Sequence, residues 1–208
     1  YQIMYQTSGD CPNSSTQNLS VLPFEDASFT IDNFCYGSSN NAVITGVTSG
    51  QFSLTDNPNG ALIDNTSGEL SNTTPGGIYT VEYTTPGSIS SCSSTSVQSV
   101  EVYPIPNIPN TTNLYEYCAD ETINAINVSP QEQNSTIQWY SDISLSNLII
   151  ESEVYQIPYS LGTTSVYITE TSENNCVSNP AVISQIINPL PNIYAGNDTS
   201  FCFGESIT

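Results

Sequence analysis

The six cysteines of this 208-residue chain recur at a spacing of about 83 residues, and this periodicity constrains its fold more than any other feature. They form two series: Cys11, Cys92 and Cys176, and Cys35, Cys118 and Cys202. The spacings are 81 and 84 residues in the first series and 83 and 84 in the second. Because self-similarity at a fixed period is the signature of tandem repeats, the chain is predicted to consist of successive units of one kind.

Prolines indicate where the units meet. Pro23, Pro104 and Pro189 each follow a strand-like run, and proline cannot donate to a strand ladder. We therefore predict four parts: the last strands of a preceding repeat in 1–22, whole repeats in 23–105 and 106–190, and the start of a following repeat in 191–208.

The local pattern within each unit is that of β-strands. Residues 80–83, 136–140 and 165–169 alternate apolar and polar side chains with a period of two, and no segment carries a helical period. Turn signals such as Pro75-Gly76 and Pro86-Gly87 separate the runs. About seven short strands in about 83 residues predict an all-β fold of tandem Greek-key, immunoglobulin-like sandwiches, with one disulfide in each.

Two simple disulfide connectivities are compatible with the spacing. The within-unit scheme, which we favour, gives each unit an early and a late cysteine and closes a loop of about 57 residues, which contributes roughly 4 kcal/mol. It consists of Cys35–Cys92 and Cys118–Cys176, with Cys11 and Cys202 pairing outside the fragment. The alternative spans the linkers and consists of Cys11–Cys35, Cys92–Cys118 and Cys176–Cys202. Disulfides in either scheme indicate an extracellular, oxidising location.

The chain contains no lysine, arginine or histidine and carries a formal charge of −20. Nucleic-acid partners are excluded because they require cationic side chains, and no apolar run is long enough for direct membrane insertion. A serine or cysteine nucleophile would lack a histidine or lysine base. Twenty carboxylates could include a glycosidase pair, but solvated surface charge is the better interpretation. We expect no catalytic residues and no enzymatic activity.

No cofactor is expected, with the possible exception of Ca²⁺. Calcium binds carboxylate, amide and carbonyl oxygens, and the loops around Asp56 and Asn57 and around Asp198 and Glu205 are the candidate sites. Neither loop has the spacing of a recognised calcium loop, and turn formation explains the same residues. Zinc is not expected, because there is no histidine and no Cys-x-x-Cys pair.

One pair of aromatic residues is a candidate ligand platform. Alternation along residues 136–140 places only one of Trp139 and Tyr140 on the core side. We expect Trp139 in the core and Tyr140 facing outward, where it could contact a sugar ring.

The segments 137–142, 166–169, 175–176 and 192–208 resemble the immunoglobulin-like tandem repeats of large Bacteroidota cell-surface proteins, such as gliding-motility adhesins exported by the type 9 secretion system. Residues 23–105 resemble a sister repeat of the same class. The resemblance implies an extracellular, filamentous, adhesive or scaffolding role and no catalytic residues. One departure from true immunoglobulin domains is that Trp139 lies 21 residues after Cys118, which is farther than usual.

We therefore expect a structural stalk or filament segment of a long extracellular adhesin. Its partners would be neighbouring repeats of the same fibre, and surface glycans or other cells. Two alternatives stay open: a carbohydrate-binding module of a secreted multidomain enzyme, and a polymeric fibre subunit that exchanges strands with its neighbours.

Overall fold

A computed structural model describes residues 1–57, 59–194, 196, 200 and 202–203. All regular structure in these residues is β-strand, and no helix occurs among them, so none could cross a membrane. The chain divides into two compact units. The first comprises Tyr1–Ile105 with Asn174–Cys176, and the second comprises Pro106–Glu173 with Val177–Thr208.

The first unit contains ten strands in the described residues: β1 Gln2–Gln6, β2 Ser14–Asn18, β3 Phe29–Thr30, β4 Phe34–Cys35, β5 Val43–Ile44, β6 Gln51–Asp56, β7 Leu62–Ile63, β8 Leu70–Ser71, β9 Ile78–Thr84 and β10 Thr95–Tyr103. The main sheet has the order β4-β10-β9-β6. Its edge strand β4 runs parallel to β10, whereas β10, β9 and β6 are antiparallel neighbours. Two-stranded ladders β3-β5 and β7-β8 complete the sandwich.

Aromatic side chains dominate the core of the first unit. Phe29, Phe52 and Tyr83 form a cluster in which the Phe52 and Tyr83 ring centroids are 4.6 Å apart. Strand β9 alternates as its sequence predicts, because Tyr79, Val81 and Tyr83 are all fully buried and the intervening residues are not. The alternation therefore positions one face of β9 against the core.

Tyrosine hydroxyls connect this core to the backbone. The Tyr79 hydroxyl accepts a hydrogen bond from the Thr74 N–H at 2.9 Å. This is the tyrosine-corner arrangement of immunoglobulin-like domains, in which a tyrosine near the start of the penultimate strand bonds to the backbone just upstream. The Tyr83 hydroxyl donates to the Val47 carbonyl at 2.6 Å and accepts from the Gly50 N–H at 2.8 Å. These bonds allow large, partly polar side chains to be buried without an unpaired hydroxyl.

The hairpin of β1 and β2 stands apart from that core. Its two strands pair over five residues, and every side chain in both is exposed. Tyr1, Ile3 and Tyr5 have the same spacing as the buried Tyr79, Val81 and Tyr83, yet they are 86%, 57% and 71% exposed. The spacing of apolar residues alone therefore forms strands but does not create a core.

The second unit contains seven strands in the described residues: β11 Leu114–Cys118, β12 Ile126–Asn127, β13 Thr136–Tyr140, β14 Leu148–Glu151, β15 Val154–Tyr155, β16 Gly162–Thr171 and β17 Ala181–Asn188. The main sheet has the order β11-β17-β16-β13-β14, and β12 pairs with β15. Strand β11 runs parallel to β17, and the other neighbours are antiparallel. The early strand, the last two strands and a middle strand thus have the same order as in the first unit.

The core of the second unit is mostly aliphatic around one indole. Ile137, Trp139, Ile168 and Ile183 are all at most 1% exposed. The Trp139 indole N–H donates to the Ser152 carbonyl at 2.8 Å, and its ring lies 5.2 Å from that of Tyr155. This confirms that Trp139 is a core residue.

The predicted all-β, immunoglobulin-like fold is confirmed. Strand β13 has the predicted bounds, and residues 80–83 and 165–169 fall within β9 and β16. The division between the two compact units falls between Ile105 and Pro106. Residues 1–22 group with the first unit, and the proposed assignment of them to a preceding repeat stays a prediction.

Candidate functional site

Two cysteines lie on the short edge strand of their sheets, and we call them the strand cysteines. Cys35 of β4 is in register with Tyr103, the last residue of β10. Cys118 of β11 is in register with Asn188, the last residue of β17. Both strand cysteines therefore lie beside the end of their unit's final strand.

Three other cysteines lie in the connections of hairpins, and we call them the hairpin cysteines: Cys11, Cys92 and Cys176. Cys92 precedes β10, and its N–H donates to the Pro23 carbonyl at 2.8 Å. Cys176 precedes β17 and is next to Val177, which bridges Thr171 at the end of β16. Cys92 and Cys176 therefore lie beside the start of β10 and of β17, respectively, whereas the strand cysteines lie beside the ends of these two strands.

The structure contains one disulfide among the described residues, Cys35–Cys176, with a Cα–Cα distance of 5.5 Å. The predicted pairs Cys35–Cys92 and Cys118–Cys176 are wrong, because Cys35 and Cys176 are bonded to each other. The physical reason is the direction of the last strand, which places the hairpin cysteine near its start and the strand cysteine beside its end. Strand β10 advances eight residues from Thr95 to Tyr103, or about 26 Å, and β17 advances seven, or about 23 Å. A disulfide tolerates no more than about 7 Å between Cα atoms.

The linker-spanning alternative is wrong as well. Cys35 and Cys176 are bonded to each other, so neither Cys11–Cys35 nor Cys176–Cys202 forms. Cys92 and Cys118 are free thiols, the first half-buried and the second exposed. The unusual cysteine-to-tryptophan spacing has the same origin, because Cys118 lies on the edge strand β11 and not on a strand opposite Trp139.

Backbone N–H groups and hydroxyls take the place of cations around the carboxylates. The Ser91 hydroxyl donates to Glu25 at 2.7 Å and the Gly87 N–H at 3.0 Å, and these bonds lower the pKa of Glu25. The Ser67 N–H, the Thr66 N–H and the Ser67 hydroxyl lower the pKa of Asp64. Hydrogen bonds to the ionised form favour it, so these carboxylates stay charged without a salt bridge.

The loop after β13 contains a carboxylate, Asp142, that accepts several such hydrogen bonds. Asp142 accepts hydrogen bonds from the Ser144 hydroxyl, the Ser146 N–H and hydroxyl, and both the N–H and side-chain amide of Asn147. These donors, with the Ser144 hydroxyl foremost, hold the pKa of Asp142 well below its ordinary value of 3.8. The carboxylate thereby closes the turn between β13 and β14.

Glu170 is a fully buried carboxylate in the second unit. It accepts hydrogen bonds from the Gln131 N–H at 3.0 Å and the Glu132 N–H at 2.8 Å, while its own N–H donates to the Ser178 hydroxyl at 3.0 Å. The sequence predicted solvated surface charge for all acidic residues, and this burial was missed. The period-two pattern of β16 was the available signal, since it assigns Glu170 to the same face as Ile168.

The calcium candidates do not come together in the described part of the chain. The Asn57 side chain accepts from the Ala61 N–H at 2.7 Å and donates to the Ala61 carbonyl at 2.6 Å, which is a turn-forming role. No group of three or more acidic or cysteine side chains with metal-binding geometry occurs among the described residues, including Asp56. Asp198 and Glu205 lie outside the described residues, so calcium there stays a prediction.

Tyr140 does not face solvent as predicted. It is only 9% exposed, and its hydroxyl donates to the Gln138 side chain at 2.9 Å. The residue lies in β13 between β14 and β16, at a register shift between Trp139 and Tyr140. Simple alternation therefore misjudges its exposure, and Tyr140 offers no free ring for a ligand.

An open cleft of about 390 Å³ lies on the first unit. Its lining includes the aromatic rings of Phe34 and Tyr36, the carboxylate of Glu69 and the polar side chains of Asn72 and Thr73. The Tyr36 side chain is 42% exposed. This cleft combines an accessible aromatic ring with hydrogen-bonding groups, and the sequence interpretation did not include it.

Residues 106–189 match the family described as an Ig-like domain, CHU_C associated. No curated protein matches the chain. Among solved structures, the chain is similar to the fibronectin(III)-like modules of CbhA from Clostridium thermocellum, at 15% identity and a TM-score of 0.44, covering 82% of this chain and 100% of that chain.

Two further solved structures are more distant. A SusE-like surface located polysaccharide binding protein from Bacteroides thetaiotaomicron is 12% identical, with a TM-score of 0.34, over 78% of this chain and 34% of that chain. Drosophila N-cadherin EC1-3 is 10% identical, with a TM-score of 0.32, over 77% of this chain and 64% of that chain. The strand order and the family match of residues 106–189 together identify this protein as an all-β chain of immunoglobulin-like units.

Proposed function

We propose that the chain is a structural segment of a long extracellular surface protein, a stalk that extends an adhesive tip from the cell or itself forms the filament. The observation that carries this proposal is the repetition of one strand order in two successive units. A repeated fold is suited to extending a polypeptide by fixed increments.

The charge supports the same role. Twenty acidic residues and no basic ones give every copy of the chain the same sign, and like charges keep long molecules apart in solution. Hydrogen bonds from N–H and hydroxyl groups stabilise carboxylates such as Asp64 and Asp142, so the units do not need salt bridges that salt would screen. A surface fibre is exposed to varying ionic strength and would benefit from this arrangement.

The finer assignment follows from the sequence resemblance. We propose an adhesin of the Bacteroidota gliding-motility type, exported by the type 9 secretion system and contacting neighbouring repeats, surface glycans or other cells. We further propose that the segment is not an enzyme and needs no cofactor. Its serines and cysteines have no histidine or lysine to act as a base.

Immunogold labelling of the source cells with an antibody against this chain tests the proposal. We expect gold particles along filaments that project from the cell surface. In-frame removal of the repeat at 106–189 should shorten the filament and leave its tip in place. Label confined to the cytoplasm, or to a soluble secreted protein, would overturn the proposal.

A second candidate function is carbohydrate binding, and the cleft at Tyr36 is the observation that favours it. The half-exposed ring could stack on a sugar face, while Glu69, Asn72 and Thr73 could hydrogen-bond hydroxyls. The net charge of −20 favours a neutral glycan over an anionic one.

A glycan array with the intact chain tests this candidate. Saturable binding that is lost in Tyr36→Ala but kept in Tyr159→Ala, another exposed tyrosine, would support a binding module. Equal binding by both variants, or none by the intact chain, would leave the stalk as the function.

A further inference from the structure

We propose that Cys92 and Cys118 are sites of covalent linkage between repeats, in which a strand cysteine of one repeat bonds to a hairpin cysteine of another. Cys118 would accept a hairpin cysteine, and Cys92 would accept a strand cysteine. The proposal rests on the tandem-repeat part of the proposed function and does not require that the fibre be adhesive.

The first argument comes from each sheet by itself. In both repeats the strand cysteine lies beside the end of the last strand and the hairpin cysteine beside its start. The length of the last strand separates them by more than 20 Å, which is about three times what a disulfide spans. A repeat of this design cannot pair its own two cysteines without losing its main sheet.

The second, independent argument is the bond that is present. Cys35 is a strand cysteine and Cys176 is a hairpin cysteine, and both belong to the first compact unit. The bond thus joins one cysteine of each type and spans 141 residues of sequence, far more than a single repeat. Cys92 and Cys118 are the two cysteines of the repeats at 23–105 and 106–190 that this bond leaves as thiols.

Their surroundings hold both thiols in fixed surface positions. The Cys118 N–H donates to the Glu121 carboxylate at 2.7 Å, and the Glu121 N–H returns a bond to the Cys118 carbonyl at 3.0 Å. The Cys92 N–H donates to the Pro23 carbonyl, and its own carbonyl accepts from the Glu25 N–H at 2.9 Å. Backbone order at both positions lowers the entropy cost of forming a disulfide.

A catalytic or metal-binding role explains these thiols less well. Reactive cysteines rely on a nearby cation or a histidine, and the sequence contains no lysine, arginine or histidine. Neither thiol belongs to a group of potential metal ligands in the described part of the chain. An exposed thiol at Cys118 and a half-buried thiol at Cys92 are instead suited to oxidation in an extracellular setting.

The linkage forms by thiol–disulfide exchange with a small disulfide donor. One cysteine thiolate attacks the donor and forms a mixed disulfide, and the second cysteine thiolate displaces the donor's remaining thiol. Two cysteine thiols thereby lose two protons and two electrons, and one donor disulfide is reduced to two thiols. The partner repeat can belong to the same polypeptide or to a second copy of this chain.

The first experiment uses the 208-residue chain and a second copy as the partner. The chain is oxidised in glutathione redox buffer at high concentration and high salt, which screens the mutual repulsion. It is then digested without reduction by a protease specific for acidic residues, because trypsin has no site. We expect Cys35–Cys176 in the monomer, and covalent dimers in which Cys118 is joined to Cys92 or Cys11.

Matched variants make the outcome decisive. Cys118→Ser should lose the dimers that Cys118 forms, whereas Cys35→Ser should retain them. A Cys35–Cys92 or Cys118–Cys176 bond within the monomer would overturn the proposal, whereas a Cys92–Cys118 bond there would identify a partner repeat in the same polypeptide. Dimers that join Cys118 mainly to Cys118, or a Cys118 thiol that stays free, would overturn the proposal too.

The second experiment distinguishes the two sources of the partner. The full polypeptide is isolated from its source with thiols blocked, and its mass is compared with and without reductant. An unchanged mass with Cys118 in a disulfide indicates a partner in the same polypeptide, and a lower mass after reduction indicates a second copy. A free Cys118 in this material would overturn the proposal, while the surface location tested by immunogold labelling could still hold.

Discussion

The two units of this protein have the same strand order but stabilise it with different cores. The first unit buries Phe29, Phe52, Tyr79 and Tyr83, and its tyrosine hydroxyls bond to backbone groups in neighbouring loops. The second buries one tryptophan among isoleucines and valines. The comparison teaches that the order of strands is set by where the apolar runs and turns fall, whereas the chemistry of the core can be exchanged.

The two units also differ in how their loops are fixed to the core. In the first, Tyr83 reaches outward and bonds to Val47 and Gly50. In the second, a carboxylate is buried instead, and Glu170 holds the N–H groups of Gln131 and Glu132. Each repeat therefore has its own buried polar connection, and the following substitutions test whether the two are equivalent.

The largest effect is expected for Ile168→Ala in the second unit. The side chain is fully buried, and such a truncation costs about 2–5 kcal/mol because it removes apolar contacts and leaves a cavity. Trp139 is the only tryptophan, so its fluorescence reports on this core in a denaturant titration. Ile143→Ala, at a side chain that is 69% exposed, is the control. Equal midpoints for the two variants would contradict the proposed core.

Glu170→Ala should have the next largest effect. The substitution leaves the Gln131 and Glu132 N–H groups, whose hydrogen bonds are partly buried, without their acceptor, at a cost of about 1–3 kcal/mol. Trp139 fluorescence again measures the loss, and amide hydrogen exchange at Gln131 should quicken. Glu173→Ala on the surface is the matched control. A variant as stable as the parent would mean that water replaces the carboxylate without cost.

Tyr83→Phe tests the corresponding connection in the first unit. The ring stays in the core, but the Val47 carbonyl and the Gly50 N–H lose their partner, at a cost of about 1–3 kcal/mol. Differential scanning calorimetry should show a lower unfolding temperature for the first unit. Tyr36→Phe, at an exposed ring, should leave it unchanged. If Tyr83→Phe and Glu170→Ala lower the free energy of unfolding equally, the two buried polar connections are equivalent.

The smallest effect is expected for Asp142→Asn, and it depends on pH. Because hydrogen bonds lower the pKa of folded Asp142 below its unfolded value near 3.8, its charged form stabilises the fold above that pH. The stabilisation is lost as pH falls through the folded pKa. Parent and variant should therefore differ in melting temperature at neutral pH and converge in acid. Asp120→Asn, at an exposed carboxylate, is the control. A difference in melting temperature between the parent and Asp142→Asn that grows in acid would contradict the prediction.

Much of the fold could be predicted because period-two alternation is a local signal. Residues 136–140 and 80–83 alternate clearly, and both form strands in the structure. The exposure of Tyr140 was missed because it depends on the register shift beside β14, which is set by tertiary pairing. Glu170 was missed because acidic residues are usually solvated, and only the distant N–H groups of Gln131 and Glu132 make its burial favourable.

The disulfides illustrate the limit of sequence reasoning most directly. The spacing of the six cysteines identified the repeat, but connectivity depends on the end of the sheet at which each cysteine lies. That in turn follows from the parallel pairing of β4 with β10 and of β11 with β17. Parallel pairing of strands far apart in the chain leaves no local signal, because neither strand is connected to the other by a turn.

Once the Cys35–Cys176 bond is reduced, so that force can reach the residues between them, the parallel pairs determine how each unit should respond to being stretched from its ends. In both units the early strand and the last strand lie side by side and point the same way, so pulling them apart loads their hydrogen bonds in shear and not one after another. Strands β11 and β17 pair over five residues, whereas β4 and β10 pair over two. Forced unfolding is governed by the unfolding rate, so the second unit should be the mechanical clamp of this protein and the first its extensible element.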